Sequence, residues 1–157
     1  MQIVPLTLDL VPYAVQLARE LHSLGSFRDV AFEHDTTHNR MIHVMNDPSW
    51  FFEIAKDDDG VVCGAMCGCV DTFFFSQQLV ANEHALYVRE GTKGRTRIAA
   101  QLVRNFIKWA LDDKGATHVQ TGDVAAINSL AVAQFYKHLG FQQWGVIYKY
   151  SRPGSAV

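Results

Sequence analysis

The nine residues Arg89-Glu90-Gly91-Thr92-Lys93-Gly94-Arg95-Thr96-Arg97 hold four cations and two glycines. Ahead of them Ala81–Val88 (ANEHALYV) reads as a strand. Behind them Ile98, Leu102, Phe106 and Trp109 recur at helical spacing. A strand therefore feeds a basic, glycine-containing loop that opens a helix. The first amides of a helix have no partner inside it and point beyond its N-terminus, where an anion satisfies them. Cations at that end oppose the helix dipole unless something negative joins them. The chemistry expected here is binding of a phosphate or pyrophosphate. A basic, exposed helix start is the alternative.

Other residues carry chemistry less specifically. Glu83 and His84 are neighbours in the strand, so by alternation only one of them faces a site beside the loop. Cys63, Cys67 and Cys69 fall within CGAMCGC, but without a CxxC pair or a second cluster they lack metal-site spacing. As odd-numbered strand residues they share a face with Val61 and Ala65, and they read as small hydrophobes. His34 and His38 are four apart, yet HDTTH lacks the glutamate of a metalloprotease helix, and His43 adds no third ligand. Exposed or packed histidines are the better reading, and no metal is expected.

The positioning elements follow from the pattern. Gln2–Leu6 is a short strand, kept near an edge by Pro5. Thr7 or Asp9 caps a helix with Pro12 in its first turn and Val11, Ala14, Val15, Ala18, Leu21 and Leu24 as its stripe, ended by Gly25. Asp35, Thr36 or Thr37 caps a second helix to about Met45, stopped before Pro48. Trp50–Lys56 and Val61–Thr72 form a hairpin about Asp57–Gly60. Phe73–Val80 connects to the next strand, and its aromatics read as core rather than as the wall of a substrate site. After the central helix, capped by Gly115, come a strand His118–Thr121, a helix Asn128–Leu139 ended by Gly140, and strands at Phe141–Gly145 and Val146–Tyr150.

Composition bounds the function. With 157 residues the chain is expected to be one domain over 1–150 with a frayed tail at 151–157. Its formal charge of −2 argues against a nucleic-acid partner despite the local basic cluster. No apolar run reaches the ~18 residues of a membrane span. The start MQIVPLTLDL lacks a cationic end and an apolar signal core, so a cytoplasmic location is expected.

Three stretches, in this order and spacing, carry a family resemblance. Lys56-Asp57-Asp58-Asp59-Gly60-Val61-Val62-Cys63-Gly64 is a hairpin of the form xxDGxxVG. Leu86-Tyr87-Val88-Arg89, Lys93-Gly94-Arg95 and the helix ending Phe106-Ile107-Lys108-Trp109-Ala110 form a strand–loop–helix. Asn128, followed by Phe135-Tyr136-Lys137-His138-Leu139-Gly140-Phe141, matches N…A…FYxxxGF. Together they resemble the GNAT N-acetyltransferase superfamily over nearly the whole chain, in the style of short phage and bacterial members. Thr96 and Ile98 depart from it, standing where the family's loop has glycine or alanine.

The resemblance implies an α/β (α+β) fold: a mixed, mostly antiparallel sheet of six to seven strands with splayed central strands and about four helices. It implies acetyl-CoA as co-substrate and a primary amine, on a small molecule or peptide, as acceptor. The splayed strand at Leu86, Tyr87 and Val88 would hold the pantetheine and the carbonyl. Lys93, Gly94, Arg95, Thr96, Arg97 and Ile98 would hold the pyrophosphate, and Asn128 the cofactor arm. Tyr136 would protonate the departing thiolate, a phenol being an acid of suitable strength. The proton of the substrate ammonium would go to Glu83, with His118 and Asp123 in reserve. Phe141–Tyr150 would be placed to pair across a homodimer. Transfer of another acyl group or to a hydroxyl, and a non-catalytic acyl-CoA-binding or protein-interaction module, are the competing readings.

Overall fold

A computed structural model of the chain describes residues 1–123 and 128–145. Contacts gather the chain into two units, residues 1–18 with 33–122 and residues 19–32 with 123–157. The first unit contains a five-stranded sheet of β1 (Gln2–Pro5), β2 (Trp50–Lys56), β3 (Val62–Thr72), β4 (Leu79–Val88) and β5 (His118–Gln120), in that spatial order. The first three pairings are antiparallel, and β5 runs parallel to β4. The described residues also form four α-helices, α1 (Val11–Leu24), α2 (His34–Asn46), α3 (Arg95–Lys108) and α4 (Ser129–His138), with a 3-10 turn at Leu8–Leu10.

The hairpin between β2 and β3 forms where the sequence places it. Asp57 Oδ1 accepts the amides of Asp59 at 3.0 Å and Val61 at 2.9 Å, and Gly60 takes the left-handed φ of 80° that such a turn favours. Pro5 lies in β1, the edge strand, where its missing N–H disturbs no inner ladder.

One face of the sheet is shaped by small residues under α3. A Cβ added at Gly68 would stand 2.6 Å from the Phe106 ring and from the Asn82 carbonyl. Glycine is therefore what lets α3 lie this close to β3. Phe51, Phe106 and Trp109 pack there with ring centroids 5.4–5.8 Å apart, and Ile98, Leu102, Val103 and Phe106 are the buried face of α3. Removing the Phe106 ring would cost about 3–5 kcal/mol. Glu53 Oε2 accepts from Asn105 Nδ2 at 2.8 Å, and Asn105 is held in turn by Gln101 at 2.9 Å. Burial raises the Glu53 pKa against this hydrogen bond. Past Lys108 the helix loosens into a π turn over Trp109–Asp113 and ends at Gly115, φ 69°.

Several expectations need correction. The α1 stripe buries Val11, Ala14, Val15 and Leu17, whereas Leu24 is exposed. Helix α2 begins at His34 with Glu33 as its N-cap residue, because Thr36 and Thr37 donate their hydroxyls back to Glu33 from inside the first turn. Phe74 and Phe75 are not core: they are 94% and 92% exposed. They sit at the tip of a turn closed by Phe73 N–H to the Gln78 carbonyl and Ser76 N–H to the Phe73 carbonyl. Phe141–Gly145 is not a strand, since Gly140 turns at φ 92° and the Phe141 amide bonds the Tyr136 carbonyl as a helix end. Val146–Tyr150 and the tail lie outside the described residues, so the described sheet has five strands rather than six or seven.

Candidate active site

The start of α3 has an open end. Its N-cap is Gly94, in the left-handed region at φ 72°, and no side chain caps the helix. Its first turn holds no acid but includes Arg95 and Arg97. The Arg95 amide is taken by the Thr92 carbonyl at 3.1 Å and the Ile98 amide by the Gly94 carbonyl at 3.0 Å. Thr96 and Arg97, exposed, therefore precede the first i→i−4 bond of the helix, where amides point outward. Ile98 is buried and contributes packing.

The four cations divide into two roles. Arg89 Nη1 donates to the Val62 carbonyl at 2.7 Å and Arg95 Nε to the Val88 carbonyl at 2.9 Å, tying the loop to β3 and β4. Lys93 and Arg97 are exposed. The Asp58 carboxyl is held below its usual range chiefly by hydrogen bonding and charge from the Met1 amino group, opposed by burial, with Lys93 and Arg97 adding to the lowering.

Strand β4 breaks its own alternation. Cys67 pairs with Ala85 and the next residue, Gly68, with Glu83, so His84 is an inserted bulge residue. Strand β5 pairs only with Val80–Asn82, and β4 runs on past it to Leu86, Tyr87 and Val88. Glu83 accepts the Thr121 hydroxyl on Oε2. It also lies near Cys67, whose thiol is pushed up to about 12, first by burial and next by the Glu83 charge. His84 Nε2 stands 3.2 Å from Cys69 Sγ, and its ring centroid lies 4.8 Å from that of Trp50. Cys63 sits at a second bulge, with its thiol 3.5 Å from the Ala55 carbonyl.

Residues 48–143 match the family model described as an acetyltransferase (GNAT) domain. The chain belongs to the GNAT acetyltransferase family. The fold agrees. A putative acetyltransferase from Agrobacterium tumefaciens aligns at 15% identity over 97% of this chain and 100% of its own, with a TM-score of 0.74. An aminoglycoside antibiotic 6'-N-acetyltransferase from Acinetobacter haemolyticus aligns at 16% identity over 97% and 98%, with a TM-score of 0.75. Glucosamine-6-phosphate N-acetyltransferase from Arabidopsis thaliana aligns at 12% identity over 95% and 97%, with a TM-score of 0.73. No curated protein matches the chain. GNAT membership implies use of acetyl-CoA.

The other residues that the sequence singles out, Asn128 and Tyr136, lie in the second unit. Asn128 is the N-cap of α4, and its side chain accepts the Ala131 amide at 3.3 Å. Tyr136 is buried, edge-on to Phe135 at 5.2 Å and to Phe141 at 5.3 Å. Among the described residues, no three His, Cys, Asp or Glu gather as a metal site, and no helix is long and apolar enough to cross a membrane. His34 and His38 stack at 6.3 Å. Sequence reasoning missed Trp50 and Cys69 as partners of His84. No spacing signals them, because the bulge that joins them is a property of strand pairing.

Proposed function

We propose that this GNAT protein is an acetyl-CoA-dependent N-acetyltransferase, with residues 1–150 as one catalytic domain, and that it moves an acetyl group directly to a primary amine of a small molecule or peptide. The start of α3 carries this reading. A helix that has no capping side chain, has no acid in its first turn and holds Arg95 and Arg97 is stabilised by an added anion. The pyrophosphate of coenzyme A is the anion that the family supplies. The departures at Thr96 and Ile98 leave that end open, since Ile98 turns into the core and Thr96 outward.

In this reading the amides of Lys93, Gly94, Thr96 and Arg97, with the Lys93 and Arg97 charges, hold the phosphates. Arg95 anchors the loop to Val88. The part of β4 that runs past β5, Leu86–Val88, supports the pantetheine and the reacting carbonyl through its backbone. Asn128 contacts the cofactor arm while capping α4, and Tyr136 donates its phenol proton to the leaving sulfur. Removal of the amine's proton falls to the bulged step of β4, where the sequence singles out Glu83.

Calorimetry with acetyl-CoA and CoA tests the first claim, with binding of both expected. Free-thiol release is then followed with kanamycin, glucosamine 6-phosphate, spermidine, tyramine and an N-terminal peptide as acceptors. No binding to either nucleotide would remove the acetyltransferase reading. Binding without thiol release from any acceptor would favour a non-catalytic acyl-CoA-binding module.

A further inference from the structure

We propose that His84, rather than Glu83, takes the proton from the acceptor amine. This rests on the acetyltransferase reading above and deepens it.

The bulge is the first observation. With Cys67 and Gly68 paired to Ala85 and Glu83, His84 is pushed out of the strand's alternation, and a bulge of this kind re-aims one side chain. His84 is exposed, while its neighbours on either side, Glu83 and Ala85, are partly covered. The ring is nonetheless held from two sides. Trp50 packs against it at 4.8 Å and 32°, and Cys69 Sγ contacts Nε2 at 3.2 Å. An exposed imidazole fixed by an indole and a thiol is a pre-oriented proton acceptor.

The surrounding charges fit the role. Partial desolvation of the ring where its neighbours cover it, and then Arg40 from α2, lower the His84 pKa although the residue as a whole is exposed, so the ring is neutral near pH 7. Burial raises the Cys69 pKa, with Asp71 and Asp47 adding, so its sulfur stays a thiol and brings no counter-charge. Glu83, the adjacent carboxylate on the same strand, already accepts the Thr121 hydroxyl, which suits it to holding Thr121 beside β4. The reactive tautomer gives Nε2–H to Cys69 Sγ and leaves the Nδ1 lone pair to the acceptor.

The proton accounting closes. The acceptor ammonium loses one N–H proton to Nδ1, and the freed nitrogen forms its C–N bond as the thioester C–S bond breaks. The nitrogen sheds a second proton, which balances the one the leaving sulfur gains. The imidazolium then returns its proton to water.

The test compares His84→Ala, His84→Gln and Glu83→Gln with the unaltered chain, using acetyl-CoA and the best acceptor of the panel. Both His84 variants are expected to lose about 100-fold in kcat/KM with calorimetric acetyl-CoA affinity and melting temperature preserved. Added imidazole is expected to restore part of the His84→Ala rate. The unaltered chain should lose activity as pH falls through a value below the usual ~6.5 of histidine, and His84→Gln should lack that limb. Glu83→Gln should keep it. Activity in the unaltered chain together with an unchanged rate and pH profile in His84→Gln would overturn this inference alone. A chain that binds acetyl-CoA yet releases no thiol with any acceptor would overturn both it and the acetyltransferase reading.

Discussion

Helix α4 closes its own first turn, and helix α3 does not. At α4, Asn128 offers its side-chain oxygen to the Ala131 amide, a cap of the kind worth about 1 kcal/mol. At α3 the equivalent position is Gly94, which has no side chain to offer, and the turn beyond it adds Arg95 and Arg97 where the dipole disfavours them by about 0.3–1 kcal/mol each. Helix α3 survives this because its other face buries Ile98, Leu102, Val103 and Phe106, each contributing about 1.5–3 kcal/mol. Packing holds the helix, so its end is left for a ligand. The capped start needs no outside partner, and the uncapped, cationic start is improved by one.

Changing one helix without the other tests that contrast. The largest effect is expected on α4. Tyr136→Phe should lower kcat about 100-fold with little change in acetyl-CoA affinity by calorimetry, and an unchanged kcat would remove Tyr136 as the acid. At α3, Arg97→Glu should act on affinity and stability in opposite directions. Acetyl-CoA binding should weaken about 10-fold, while the free protein gains up to about 0.5 kcal/mol from an acid in the first turn. Parallel losses of affinity and melting temperature in that variant would contradict the open-end account. Asn128→Ala should cost about 1 kcal/mol of stability, read by urea unfolding, with less effect on acetyl-CoA affinity than Arg97→Glu.

The smallest change lies on β2, at the residue that meets Asn105 well past the start of α3. Glu53 has a folded-state pKa raised by burial. Its contribution to stability is therefore fully present below the ordinary carboxylate pKa and is lost as pH rises through the raised folded value. Glu53→Gln, which can still accept from Asn105, should raise the melting temperature by roughly 1–2 °C at pH 7 and by nothing near pH 3. A gain that persists undiminished at low pH would show that the carboxylate's charge is not the cause.

The elements with strong local signals were legible. The Asp57–Gly60 turn, the Gly94 start of α3 and the Gly140 end of α4 each need a residue type that can make the turn, and those residues stand at those positions. The Phe73–Phe75 run misled, because hydrophobicity marks what burial would favour, and a hairpin tip has no layer to bury it. The cations of the loop were legible as a cluster but not as a division of labour. Whether Arg95 meets a ligand or the Val88 carbonyl depends on where β4 ends relative to α3.

The sequence by itself determined the order of strands and helices as far as α4 and the basic glycine loop that opens α3, because turn residues and periodicity act locally along the chain, and its three motif stretches carried the family resemblance. Only the tertiary structure decided which charges remain outward at that loop and which residue of the Glu83–His84 pair is pushed out beside Trp50 and Cys69. Alternation predicts opposite faces for adjacent strand residues. The single slip in register between β3 and β4 cancels that rule, and register is set by pairing between distant segments.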